Sequence, residues 1–367
     1  MKMLFAGGVT GGHIAPGVAL AEHVVGNNPG WQVLFAGVAN EVEERMITRR
    51  GLQLTRITGR TRSAAGAVMS LPGAFLRARR LLAWYQPDVV VGLGGNASLG
   101  AAFAALSTKK PLVLLEQNRI PGRANRLLAG RASRVFCQWE DAAAQLGGNA
   151  THSGSPVRKE IGQSRHVDRA AVRRLFGLDP GLPTLLLMGG SQGSRPINRA
   201  LMAAAAGLAG RAQVIHLAGP DDLDAILDAY REAGLAAHVT SFFETMHLAY
   251  GAADLALSRA GATSIAEFAV AGLPAILVPY PYARDEHQRA NAEDVVDHGW
   301  GLLLDQSELT ADRVVGLVTG LLGDEERRRA MAENARRAAR EEAADVIFES
   351  IYRLVAAAAE PAPVEAD

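Results

Sequence analysis

Apolar residues in this chain gather into short, nearly continuous runs separated by longer amphipathic stretches. The first half carries KMLFAG, WQVLFAG, DVVVGLG, PLVLLEQ and RVFCQW; the second carries PTLLLMGG, QVIHLAG, HVTSFF, DLALSRAG and PAILVPY. A run without polar alternation suits a parallel strand covered on both faces, with helices between successive strands. The alternation predicts an α/β chain of two doubly wound halves. The halves echo one another locally: LFAGGVTGG and LLLMGGSQGS each pass from an apolar strand into paired glycines and a hydroxyl residue, then into a helix-forming run. The pattern breaks at HSGSPVRKEIGQSRHVD, where glycine, proline and polar residues interrupt it. The expected organisation is a first domain over 1–158 and a second over 159–340. A last helix over 341–358 packs back on the first domain, ahead of a frayed tail over 359–367.

Composition narrows the function classes. The 367 residues suffice for two domains of ordinary size, and 49% hydrophobic with only 5% aromatic residues reads as globular. Lys+Arg and Asp+Glu both total 38, which argues against a general nucleic-acid binder. The single cysteine, Cys137, excludes an internal disulfide framework and reads as a buried small hydrophobe. No basic segment followed by an apolar leader opens the chain, and no run of about 18 apolar residues follows, so a cytoplasmic protein without a membrane span is expected. DDLD at 221–224 reads as helix-capping acids rather than metal ligands, and no metal or other cofactor is expected.

Candidate chemistry lies in the glycine turns. GGVTGGHIAPG, residues 7–17, bares backbone N–H groups at a helix start, an anion site by construction. Its glycines do not fall at G-x-G-x-x-G. Gly7 to Gly12 has P-loop spacing, but His13 stands where lysine is required. His13 either takes a proton from an incoming hydroxyl or caps the loop. GGSQG, residues 189–193, matches G-x-S-x-G. Ser191 is therefore either a hydrolase nucleophile, with Asp254 or Asp285 and His287 downstream, or a phosphate-loop hydroxyl. The phosphate reading accounts for both turns at once. In SRAGATSIAE, Gly261, Thr263 and Ser264 start a helix and offer donors to a diphosphate, and Glu267 can accept from ribose hydroxyls. Gln288 and Asn291 supply amides suited to sugar hydroxyls.

Together GGVTGGHIAPG, VVVGLGGNAS, EQNRIPGRANRLL, SGSPVR, GGSQGSRPIN, SRAGATSIAE and AGLPAILVPYPYARDEHQRANA resemble the MurG family of GT-B glycosyltransferases, in the family's order and along almost the whole chain. The resemblance implies two Rossmann-like domains facing a cleft. It also implies inverting transfer of N-acetylglucosamine from UDP-N-acetylglucosamine to the C4 hydroxyl of lipid I, the undecaprenyl-linked muramyl-pentapeptide, giving lipid II and UDP. The donor site it implies comprises Arg158, Ser191, Phe243, Ala262, Thr263, Ser264, Ile265, Ala266, Glu267, Gln288 and Asn291, with Thr10, Gly11, Gly12 and Asn118 from the first domain. His13 is the expected base and Glu116 a second candidate. A lipid-linked acceptor implies a peripheral enzyme on the cytoplasmic membrane face, with other cell-wall assembly proteins as partners. The helix around SLPGAFLRARRLLAWYQPD offers Phe75, Leu76, Leu82 and Trp84 amid Arg77, Arg79 and Arg80 for an anionic surface. The chain departs from the family pattern at an extra Val9, at Leu115 where histidine is common, and at Asn96 where an aromatic is usual.

Overall fold

A computed structural model describes residues 1–8, 10–59, 64–190 and 193–359, without the side chains of 64, 65, 67, 68, 284 and 359. Val9, Ser191 and the tail from 360 lie outside the described residues. The chain divides into two compact units: Met1–Arg158 together with the segment beginning at Glu341, and Lys159–Arg340.

The first unit holds a wholly parallel sheet built from β1 (Lys2–Ala6), β2 (Gln32–Gly37), β3 (Gln53–Arg56), β4 (Val89–Gly92), β5 (Leu112–Glu116), β6 (Arg134–Cys137) and β7 (Ala150–His152). Among the described residues its order is β3-β2-β1-β4-β5-β6-β7. Alternate residues of each strand enter two different cores, which is why the strands read as unbroken apolar runs. Leu4, Leu34, Val90, Leu114 and Val135 join the helices Ala64–Tyr85 and Asn96–Ser107 on one face. Met3, Phe5, Val33, Phe35, Val91 and Leu115 join the helix Gly11–Asn27 on the other. The final helix, Ala343–Ala359, belongs to that second face. Its Ile347 and Ile351 are fully buried there, and Phe348 meets the Trp31 ring at 5.2 Å. Leu115 is thus a core residue, whereas Asn96 is exposed at the first position of its helix.

The second unit repeats the scheme with β8 (Thr184–Met188), β9 (Gln213–Leu217), β10 (Ala237–Thr240), β11 (Leu255–Ser258), β12 (Ala275–Leu277) and β13 (Gly301–Leu303), ordered β10-β9-β8-β11-β12-β13 and again parallel. In both sheets the order reverses beside the first strand, between β1 and β4 and between β8 and β11. Open α/β sheets bind ligands outside the carboxyl ends of their strands at such a switch point. The glycine turns of the sequence leave the sheets there: residues 7–8, 10–13 and 93–96 in the first unit, and 189–190, 193–194 and 259–262 in the second.

A buried polar chain ties the second unit beside its first glycine turn. Asn198, on the helix Arg195–Leu208, donates through Nδ2 to the Ala218 carbonyl and to Asp222 Oδ2. Its Oδ1 is therefore the acceptor that faces His216 Nε2 at 3.1 Å, and Nε2 carries the proton. Nδ1 then accepts from the Tyr230 hydroxyl at 2.9 Å. Burial holds the His216 pKa down to about 3, with the Asp222 charge opposing the shift only in part. An unfolded histidine protonates near 6.5, so as pH falls below that value the unfolded chain gains a proton that the folded chain refuses. Wild type is expected to lose about 2 kcal/mol more stability between pH 7 and pH 5 than a His216→Gln variant. Equal losses in denaturant melts at the two pH values would remove His216 as the cause.

Candidate active site

In the first unit the carboxyl ends of β1, β4 and β5 converge. Gly7 takes φ +113°, and a Cβ placed on it would stand 2.8 Å from the Gly94 carbonyl oxygen, so the two turns touch through bare backbone. Thr10 is the N-cap of the helix Gly11–Asn27, and Gly11 and Gly12 form its first turn. His13 projects from that turn. Its Nδ1 meets Thr10 Oγ1 at 3.1 Å. Its ring lies against the second turn: a Cβ on Gly94 would stand 3.3 Å from His13 Cδ2 and 3.7 Å from both His13 Nε2 and Asn125 Nδ2. With Nδ1–H donating to the threonine hydroxyl, Nε2 bears the lone pair that a base needs.

Glu116 ends β5 and is buried. Its Oε1 accepts from the Asn118 backbone N–H at 2.9 Å and from Asn118 Nδ2, and its Oε2 accepts from the Gly122 N–H at 2.8 Å and Asn125 Nδ2 at 2.9 Å. Burial pushes its carboxyl above the usual range, against these four bonds, which favour the charged form. The carboxylate thus knits the loop 116–125 and reaches the Gly94 turn through Asn125. Sequence reading passed over Asn125, whose significance comes from contacts with Glu116 and the Leu115 carbonyl that spacing does not announce. Neighbouring Cys137 is fully buried. Its thiol is pushed up to about 12 by burial, with the Glu116 charge adding to the shift, so it is no nucleophile.

In the second unit Gly189 and Gly190 leave β8, and Gly193 takes φ +73° with a virtual Cβ 2.3 Å from the Ala218 carbonyl oxygen, a position closed to any side chain. Ser191 itself lies outside the described residues. Gly261 caps the helix Ala262–Ala271 after β11. Thr263, Ser264 and Ala266 are partly exposed, while Ala262, Ile265 and Glu267 are buried. Behind this helix start sits Arg259. Its buried guanidinium donates to the carbonyls of Val278 and Pro279 and to Gln306 Oε1, three neutral oxygens.

The remaining expected donor residues divide. Gln288, partly exposed, accepts the Tyr280 N–H at 2.9 Å and orders the loop before its helix. Asn291 is fully buried and donates to the Ala260 carbonyl, so it braces the 259–262 turn from behind. The Phe243 ring is buried between Phe176 and His238. Arg158, partly buried, is the last residue of the first unit's main segment. Among the described residues no three His, Cys, Asp or Glu side chains cluster as a metal site.

The helix Ala64–Tyr85 presents two faces. Leu82 belongs to the core and Phe75 packs against it, whereas Leu76 and Trp84 are exposed, Trp84 by 75%. Arg77, Arg79 and Arg80 are exposed beside them, and a cavity of about 320 Å³ is lined by Arg56, Arg77, Arg80 and Trp84. No helix among the described residues is long and apolar enough to cross a membrane.

Two doubly wound units in one chain, each with a glycine turn and a helix start at its switch point, make the GT-B architecture. Residues 3–137 match the glycosyltransferase family 28 N-terminal domain and residues 184–347 the family's C-terminal domain. The UDP-N-acetylglucosamine–N-acetylmuramyl-(pentapeptide) pyrophosphoryl-undecaprenol N-acetylglucosamine transferase of Geobacter sulfurreducens is 34% identical over 96% of this chain and 98% of its own. The transferase of the same name from Anaeromyxobacter sp. strain K is 36% identical over 96% and 94%. The crystal structure of Acinetobacter baumannii MurG superposes with a TM-score of 0.74 at 26% identity, covering 96% of this chain and 99% of that one. The chain belongs to the MurG family.

Proposed function

We propose that this chain transfers N-acetylglucosamine from UDP-N-acetylglucosamine to the C4 hydroxyl of undecaprenyl-diphosphate-linked muramyl-pentapeptide, releasing UDP with inversion at the anomeric carbon. The observation that carries the reading is the His13 imidazole, held at Nδ1 by Thr10 and laid over the Gly94–Gly95 turn. In a single displacement the C4 hydroxyl loses its proton to Nε2 as its oxygen bonds the anomeric carbon, and the bond to the diphosphate oxygen breaks. Glu116, with all its bonds inside one loop, acts as a positioning residue for the acceptor side. The N-terminus of the helix Ala262–Ala271 and the Arg259 charge stabilise the leaving diphosphate, so the transfer needs no metal. Glu267 accepts from the ribose, and Gln288 orders the loop on the sugar side.

The test is UDP release from UDP-N-acetylglucosamine in EDTA, with and without a lipid I analogue. Acceptor-dependent release that survives the chelator supports the reading. Release abolished by EDTA and restored by Mg²⁺ would sink the metal-free step, and release indifferent to acceptor would sink the transfer.

The same reading puts the helix Ala64–Tyr85 on the cytoplasmic membrane face, with Leu76 and Trp84 entering the interface and Arg77, Arg79 and Arg80 meeting anionic headgroups. Leu76→Ser combined with Trp84→Ser is expected to weaken sedimentation with phosphatidylglycerol vesicles by about tenfold or more. Unchanged sedimentation would remove this face from the lipid contact.

A further inference from the structure

Glu267 sits on the helix Ala262–Ala271, and its Oε2 accepts a 2.5 Å hydrogen bond from the phenol of Tyr250. Tyr250 comes from a different element, the helix Met246–Ala252, and is only 2% exposed. Its ring meets Phe268 edge to face, with centroids 5.7 Å apart and an interplanar angle of 85°. Phe268 is fully buried and follows Glu267 directly in its helix. The tyrosine is thus fixed at its hydroxyl by one residue of this helix and at its ring by the next.

A glutamate has three side-chain torsions and loses considerable rotamer freedom when it is held still. A buried phenol bonded to a carboxylate is a short, charge-assisted contact that holds it so. An ionised carboxylate has about four acceptor positions, of which the phenol takes one.

We propose that Tyr250 is a positioning residue for donor recognition: its phenol locks the Glu267 carboxylate in the rotamer that accepts from the ribose hydroxyls of the sugar nucleotide. The inference rests on the assignment of Glu267 to the ribose. It extends the donor site to a residue that touches no substrate and lies outside every glycine turn.

The experiment titrates the full chain with UDP and with 2′-deoxy-UDP, in wild type, Tyr250→Phe and Glu267→Ala, with thermal unfolding of each protein in the same buffer. Wild type is expected to prefer UDP by about tenfold or more, the worth of a hydrogen bond to a charged group. Glu267→Ala should bring the two affinities together. Tyr250→Phe, which keeps the ring on Phe268, should cut the preference to about threefold or less while 2′-deoxy-UDP binds within about twofold of wild type. In turnover it should raise the donor KM more than it lowers kcat.

Three outcomes overturn the inference, and they are distinguishable. If Tyr250→Phe keeps the full preference while Glu267→Ala loses it, the phenol does not position the carboxylate. If Tyr250→Phe weakens both nucleotides equally, its role is only to hold the fold. If Glu267→Ala keeps the preference, the ribose assignment falls, and the role of Tyr250 falls with it.

Discussion

His13→Ala is expected to lower the turnover of transfer by about 10²–10⁴-fold, the usual worth of a positioned general base. Donor affinity should stay within about twofold, because most of the groups assigned to the nucleotide lie in the second unit, on elements other than the His13 helix. The effect follows from the geometry around the ring. Thr10 Oγ1 fixes Nδ1, the Gly94–Gly95 turn leaves no Cβ to crowd the ring, and the alanine variant keeps both turns without a proton acceptor. The check is paired: kcat from acceptor-dependent UDP release, and Kd for UDP by calorimetry. A fall of less than about tenfold in kcat would transfer the base role elsewhere, with Glu116 the first residue to test.

Asp254→Ala is expected to destabilise the protein by about 3–5 kcal/mol, the cost of leaving a buried charge without its partner. Asp254 opens the way into β11, and its carboxylate bonds three groups. Arg173 NH2 and Arg169 NH1 each lie at 2.6 Å, and the Thr184 N–H donates to it at 2.7 Å. The Arg173 side chain is only 6% exposed, and burial already lowers the pKa of its guanidinium, with Asp254 the chief opposing influence. Removing the acid strands that charge in the second unit between the helix Arg169–Leu175 and the amino ends of β8 and β11. Asp254→Leu combined with Arg173→Met removes both charges, and most of the loss should return. Denaturant melts of the three proteins decide it. A single variant within about 1 kcal/mol of wild type would mean that water reaches and solvates the Arg173 guanidinium.

Among the described residues ten of the thirteen strands were legible: nine are interior strands buried along nearly all their length, and the tenth, the edge strand β10, was marked by the run HVTSFF. The three that were not, β3, β7 and β13, stand at sheet edges and read QLTR, ATH and GLL. An edge strand has one neighbour and is shorter and half exposed, so it lacks the apolar run that marks an interior strand. The glycine turns were legible for a related reason: their conformations and close approaches admit little else. What the sequence concealed lies across elements. Tyr250 and Asn125 act on carboxylates 17 and 9 residues away, and no local spacing announces such a bond. Asn291 and Phe243 carry side chains suited to a ligand, yet the one braces a turn and the other fills an aromatic cluster.

The closing helix Ala343–Ala359 gives the chain a schedule as well as a shape. It completes a core begun by the first thirty-odd residues, yet it is made only after the whole of Lys159–Arg340 has been synthesised. At ordinary rates of translation that interval is roughly 10–40 s. Throughout it the nascent first unit presents the apolar seat of Ile347 and Ile351 uncovered, open to a chaperone or to another unfinished chain. Lesions near the end of the chain should therefore surface as failures of the part made first.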